Sequence, residues 1–121
     1  MKSIIITGAL LAGLAVLLGA FGAHGLKTKV SPEDLLIFET GVKYHMYHAL
    51  GLILIGLLGF HFQKDVIHLS SVLILIGIVI FSGSLYVLVI SNVRWLGAIT
   101  PIGGLALISG WLLLAYKLYR A

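Results

Sequence analysis

The chain has 121 residues, of which 60% are hydrophobic and only 10% are charged, and its mean hydropathy is +1.16. A soluble domain carries about 25% charged residues, so this composition excludes a water-soluble globular protein. The net charge of +4 comes from basic residues scattered at helix ends, which argues against a nucleic-acid-binding patch and favours contact with phospholipid headgroups. The absence of cysteine excludes disulfides, thiolate metal sites and a cysteine nucleophile.

Four stretches of the sequence contain no charged residue, and each is long enough to cross a membrane. They cover residues 3–23, 44–63, 66–93 and 95–116, while about 20 residues of helix span about 30 Å of hydrocarbon. Backbone amides find no water in the bilayer core, so each stretch must satisfy its hydrogen bonds as a helix. The sequence predicts a single-domain, all-α integral membrane bundle over residues 1–121, with transmembrane helices at about 4–23, 42–62, 69–90 and 96–119.

Two questions concern the first helix: whether it is a cleaved signal peptide, and what its small residues pack against. Lys2 before an apolar run that ends in small residues resembles a signal peptide, but the run is long for one, so we expect a retained helix. Small residues lie four apart along it, which lets another helix backbone come close. We expect this spacing to serve packing inside the bundle, with a homo-oligomer as the alternative. The pairs are Gly8 and Ala12, Ala9 and Gly13, and Ala15 and Gly19.

A short amphipathic helix is predicted at about residues 32–40, between the first two transmembrane helices. Ser31 is a favourable N-cap, Pro32 suits the first helical position, and the acidic Glu33 and Asp34 complement the positive end of a helix. Apolar residues are interspersed with polar ones, as expected for a helix that lies at the membrane interface. At Gly41, either the chain bends before the second transmembrane helix or one helix runs through.

The fourth helix contains a proline near its start. Pro101 has no N–H to donate and its ring crowds the carbonyl of Gly97, so we expect a kink or local loosening there. The Thr100 hydroxyl is placed to satisfy a carbonyl that the proline leaves free.

The basic residues leave the orientation undecided, because four lie on each side of the membrane and the positive-inside rule gives a tie. The set on the side of the termini is Lys2, Lys64, Lys117 and Arg120, and the opposite set is Lys27, Lys29, Lys43 and Arg94.

Polar side chains gather in one half of the membrane, where the first and third helices end and the second and fourth begin. The members are His24, Glu39, Lys43, Tyr44, His45, His48, Tyr86, Arg94 and Thr100, with Ser82 and Ser84 nearer the middle. Residues three and four apart share a helix face, so Glu39 is placed to pair with Lys43 in a continuous helix. His48 lies a turn deeper than Tyr44, and an ionisable group there is costly enough to indicate a functional site.

Three interpretations of this cluster are open. His24, His45 and His48 are candidate ligands of a transition metal or haem, although H-x-x-H spacing alone is a weak signal. Glu39, Lys43 and His48 are suited to a proton or ion relay, because histidine titrates near neutral pH. The favoured interpretation is structural, with Tyr and His bridging helices through hydrogen bonds. No nucleophile–base–acid set has recognisable spacing, so no enzyme is expected. No cofactor is expected either, with haem or a metal ion as the alternative.

Four segments together resemble a known family: GAFGAHGL at 19–26, ETGVKYHMYHALGL at 39–52, FSGSLYVL at 81–88 and TPIGGLALISGW at 100–111. It consists of small four-helix bacterial inner-membrane proteins, with eukaryotic transmembrane relatives, and is catalogued as domain of unknown function 423. The resemblance implies a fold and a membrane location, but no activity or substrate. It centres on the positions of His24, Thr40, Tyr44, His48, Ser82, Ser84, Tyr86, Thr100 and Pro101.

Within that resemblance, the position of Glu39 also carries glutamine and that of His45 need not be histidine, which favours His24 and His48. We therefore predict a multi-pass protein of the cell membrane, a structural or accessory component of unknown activity. The alternative is a small transporter or channel-like unit, or a haem or metal binder. Expected partners are the lipid bilayer and, through small-residue faces, further copies of the chain. The candidate ligand or polar-cluster residues are His24, Glu39, Lys43, Tyr44, His48, Ser82, Ser84, Tyr86 and Thr100.

Overall fold

The computed structural model describes all 121 residues, and nearly all of them lie in helices joined by short connections. The four α-helices are α1 Lys2–Phe21, α2 Pro32–Leu58, α3 Lys64–Ser91 and α4 Thr100–Arg120. A π-helical segment, Gly22–Leu26, extends α1, and a 3₁₀ helix, Arg94–Ala98, precedes α4. With these extensions, the four helices are long and apolar enough to cross a membrane. The predicted all-α membrane bundle is confirmed.

α2 is one continuous helix from the interfacial segment into the membrane. The Ser31 hydroxyl accepts a hydrogen bond from the Asp34 backbone N–H at 3.1 Å, and Pro32 occupies the first turn, as the sequence predicts. Gly41 is buried within the helix, so segment 32–40 forms the first turns of α2. At 1.5 Å per residue, the 27 residues of α2 extend about 40 Å, and the acidic first turn therefore projects beyond about 30 Å of hydrocarbon.

The connection between α3 and α4 explains where each helix stops and starts. Asn92 ends α3 in the left-handed conformation, with φ of 59°, which asparagine tolerates better than most residues. α4 begins at Thr100, later than the expected residue 96, because Pro101 is favoured in the first turn of a helix and disfavoured inside one. The loosening expected near Gly97 takes the form of the 3₁₀ helix.

The helices pack in chain order, α1 on α2, α2 on α3 and α3 on α4, and α1 does not pack on α4. α2 and α3 are therefore central. α1 buries only Gly8 and Ala15, and a Cβ atom on Gly8 would lie 2.7 Å from the carbonyl oxygen of Ala49 in α2. At Gly8 the small residue thus serves packing inside the bundle, whereas a Cβ atom on Gly13 would meet nothing within 4 Å.

The molecule divides into two halves along the helix axes. We call the half where α1 and α3 end and α2 and α4 begin the polar half, and the half with both chain ends and the α2–α3 turn the terminal half. The terminal half and the bundle centre share an apolar cluster of Leu52, Ile55, Ile67, Ile74, Ile78, Leu107 and Leu114. The polar half has a smaller one, of Leu26, Phe38, Leu88 and Val89. Its buried polar side chains are those of His45, His48, Ser82 and Ser84.

Candidate functional site

His45 is the more buried of the two histidines on the inner face of α2, 3% exposed against 8% for His48. Its Nδ1 lies 2.8 Å from the hydroxyl oxygen of Tyr86 on α3, and the two rings are 6.0 Å apart between centroids. The Nε2 of His45 is buried without a hydrogen-bond partner. Because lipid offers no competing hydrogen bonds, the His45–Tyr86 pair joins α2 to α3.

His48 is held within its own helix. Its Nδ1 lies 2.7 Å from the carbonyl oxygen of Tyr44. A carbonyl only accepts, so Nδ1 carries a hydrogen and donates it to Tyr44. The His48 ring stacks on Tyr44 at 6.2 Å between centroids and lies 5.8 Å from the ring of Trp111 on α4. His48, which lies a turn deeper than Tyr44, is thus buried next to the rings of Tyr44 and Trp111.

A second bond between α2 and α3 depends on a glycine. The Ser82 hydroxyl donates to the backbone carbonyl of Gly41 at 2.7 Å. A Cβ atom on Gly41 would lie 2.8 Å from a ring carbon of Tyr86, so a larger residue would displace that ring from its place beside His45 or move α2 away from α3. Glycine therefore favours the close approach of the two helices.

α3 and α4 are joined by two hydroxyl groups. The Ser84 and Thr100 oxygens lie 2.5 Å apart, and Ser84 also reaches the Phe81 carbonyl at 2.9 Å. The Thr100 hydroxyl lies 3.4 Å from the carbonyl of Leu96, in the turn that Pro101 interrupts. The Leu96 carbonyl already accepts the backbone N–H of Ile99 at 3.0 Å, and no hydrogen bond joins Thr100 to the carbonyl of Gly97. The expectation that Thr100 would serve a carbonyl freed by the proline is therefore not met.

An ion pair closes the polar half at its outer rim. Arg94 donates from both terminal nitrogens to the Asp34 carboxylate, at 2.9 and 2.7 Å, and its Nε donates to the Asn92 side chain at 2.8 Å. This bidentate pair ties the first turn of α2 to the connection before α4. The hydrogen bonds from Arg94 hold the pKa of the Asp34 carboxyl below its usual value.

Three predicted site residues lie outside this network. His24, Glu39 and Lys43 are exposed, and the ion pair of the structure joins Asp34 and Arg94 only. The continuous helix places Glu39 and Lys43 one turn apart, yet they do not pair, because an exposed ion pair gains little over hydration. No hydrogen bond joins His24 to the other histidines, and no three His, Cys, Asp or Glu side chains are grouped to hold a metal ion.

Sequence reasoning gave His45 too little weight and missed Asp34 and Gly41. Helical spacing was the available signal for His45, which continues the buried stripe of Phe38 and Gly41 toward Leu52. No pattern pointed to Asp34, because its partner lies 60 residues away in the sequence. The contacts of Gly41 with α3 depend equally on how α2 and α3 pack.

The four membrane-crossing helices and the hydrogen-bonded interior of the polar half define a multi-pass all-α membrane protein. The chain belongs to the family described as Protein of unknown function (DUF423), whose model matches residues 18–104. The match covers all of α2 and α3 and the first turn of α4, and so contains the whole hydrogen-bonded network. The resemblance seen in the sequence is thereby confirmed.

Curated relatives match over nearly the whole chain and are named membrane proteins. UPF0382 membrane protein SH2409 of Staphylococcus haemolyticus is 48% identical over 120 residues, 99% of this chain and 98% of the relative. UPF0382 membrane protein YwdK of Bacillus subtilis is 49% identical over 115 residues, 94% of each chain. A UPF0382 membrane protein of Staphylococcus epidermidis is 53% identical over 114 residues, 94% of this chain and 93% of the relative. No solved structure matches the chain.

Proposed function

We propose that this chain is a non-enzymatic structural or accessory component of the cell membrane, whose polar half holds its helices in register. The observation that carries the proposal is that interior polar groups bond across helices. His45 bonds to Tyr86, Ser82 to the Gly41 carbonyl, and Ser84 to Thr100. The atoms engaged in these bonds are not free to bind a substrate, which leaves the buried Nε2 of His45 as the unpartnered nitrogen of the pair.

The energetics support this role. Hydrogen bonds between membrane helices are worth about 0.6 kcal/mol on average and up to about 1.7 kcal/mol. Three of them together contribute about 2 kcal/mol, a sizeable part of the roughly 5–15 kcal/mol that separates folded from unfolded proteins. Stabilisation of the fold is therefore a sufficient reason for polar side chains to be buried here.

The proposal includes association of copies through the outward face of α1. Gly13 faces away from the bundle and has open space around it, and Ala9, one turn earlier, is also exposed. Small residues four apart allow close approach of a second helix in a membrane.

The test compares Tyr86→Phe with Tyr44→Phe in purified protein in lipid nanodiscs. Tyr86→Phe removes the hydroxyl that bonds to His45, and we expect the free energy of unfolding to fall by about 1 kcal/mol. Tyr44 makes no hydrogen bond through its hydroxyl, so Tyr44→Phe should leave stability unchanged.

The same preparations are reconstituted in vesicles to measure proton flux. A structural protein leaves the flux at the level of protein-free vesicles. A flux that His45→Gln abolishes while the free energy of unfolding is retained would replace the structural role with transport.

A further inference from the structure

A groove lies between α1 and α3 in the terminal half. These two helices both pack on α2 and form no extensive interface with each other, and Leu52 of α2 forms the floor between them. Ile4 and Thr7 line the α1 side, and Lys64, His68 and Leu75 line the α3 side. The groove is thus a feature of the open helix arrangement and is separate from the polar half.

The mouth of the groove is basic. Lys64 is the first residue of α3, and His68 follows one turn later on the same face. Both side chains are exposed, neither belongs to the ion pair of the structure, and no acidic side chain lines the groove. Two donors at the membrane surface are therefore free to bind an anion.

The deeper part of the groove offers no free hydrogen-bonding side chain. Thr7 and Ser71 line it, but each hydroxyl donates to a carbonyl of its own helix at 2.8 Å, Thr7 to Ser3 and Ser71 to Ile67. Leu75 lies eleven positions beyond Lys64, which places it about 16 Å further along the helix. The groove changes from cationic to apolar along the direction that enters the bilayer.

We propose that this groove binds one anionic phospholipid, with its phosphate at Lys64 and His68 and an acyl chain running down to Leu75. The match is one of charge and shape, because a phospholipid has a phosphate at the surface and hydrocarbon below. Basic pockets between membrane helices are a recognised setting for anionic headgroups. A soluble phosphate would use the mouth but gain nothing from the lower walls, where burial of each CH₂ contributes about 0.8 kcal/mol.

The first experiment measures lipid retention by native mass spectrometry, with equal amounts of phosphatidylglycerol and phosphatidylcholine of the same acyl chains. We expect the protein to retain phosphatidylglycerol preferentially. Lys64→Gln should weaken that retention about fivefold, since one basic residue near the surface contributes about 1 kcal/mol. Lys117→Gln is the matched control, because Lys117 lies at the same end of the molecule but lines a different groove.

The second experiment blocks the apolar part of the groove. Val72 lines it, so Val72→Trp should reduce retention of both lipids. Val79→Trp places the same side chain on the outward face of the same helix, where Val79 is 62% exposed, and should leave retention intact.

Four results would overturn the proposal. Equal retention of the two lipids would mean that the net negative charge of the lipid is not recognised. If Lys117→Gln weakened retention as much as Lys64→Gln, the preference would reflect general attraction to a basic surface and not binding in this groove. Glycerol phosphate binding as tightly as phosphatidylglycerol would assign the mouth to a soluble anion. A dimer lost in Val72→Trp would assign the groove to a second copy of the chain. None of these results bears on the structural role of the polar half, which rests on other residues.

Discussion

The two halves of this small bundle are held together by different interactions. In the polar half, side chains bond from helix to helix, as in Ser82 to Gly41, and an ion pair closes the rim. In the terminal half, no side-chain hydrogen bond crosses between helices, and hydroxyl groups such as those of Thr7 and Ser71 bond within their own helix. There, apolar packing takes over, while close approach at glycines occurs in both halves, at Gly8 and at Gly41. The terminal half should respond to changes of shape, and the polar half to changes of hydrogen bonding as well.

The largest expected effect comes from adding one methyl group in the terminal half. In Gly8→Ala the new Cβ atom would lie 2.7 Å from the Ala49 carbonyl oxygen, a backbone atom that cannot rotate away. Overpacking of this kind costs about 1–3 kcal/mol, so we expect the free energy of unfolding to fall by about 2 kcal/mol, measured by denaturant titration in detergent micelles.

Gly13→Ala on the same helix is its control. The space around Gly13 is open, and replacing glycine by alanine favours a helix by up to about 1 kcal/mol. Equal destabilisation by the two substitutions would mean that α1 does not pack on α2 through Gly8.

Two buried serines on α3, one in each half, allow the halves to be compared through the same substitution. Ser82 and Ser70 are each 1% exposed, but Ser82 bonds across to α2, whereas the Ser70 hydroxyl oxygen has no partner. Ser82→Ala should lower the free energy of unfolding by about 1 kcal/mol. Ser70→Ala should leave it unchanged or raise it, because a buried hydroxyl without a partner is itself unfavourable. Thermal melts of the two variants side by side measure this, and equal destabilisation by Ser70→Ala and Ser82→Ala would remove the distinction between the halves.

The smallest expected effect is at the rim. The Asp34 pKa is lowered from its usual value of 3.8 by the hydrogen bonds from Arg94. A lowered carboxyl pKa stabilises the fold above the usual value, and this contribution is lost as the pH falls through the lowered one. We expect Asp34→Asn to lower the melting temperature slightly at neutral pH in low salt, and less in high salt because of screening. A difference between Asp34→Asn and the wild type that persists at pH 2 would point to a contact other than the ion pair.

The candidate site shows how far local patterns reach. The Ser31 cap, Pro32 in the first turn and the break before Pro101 follow from single residues and were predictable, because caps and proline act on the nearest turn. Which of His45 and His48 bonds to another helix could not be predicted from local patterns. Both lie on the inner face of α2, and only the position of Tyr86 on α3 decides which of them bonds across.

The sequence by itself determined the four membrane helices, because uncharged stretches longer than the bilayer is thick have no other stable conformation in hydrocarbon. It also determined that polar side chains gather in one half, since this follows from helix order alone. Tertiary structure decided which of these side chains meet. The Asp34–Arg94 pair, the contact of Ser82 with Gly41 and the exposure of His24 depend on the rotation and depth of each helix. Those are set by packing between residues far apart in the chain, such as the glycine contacts that bring α1, α2, α3 and α4 together.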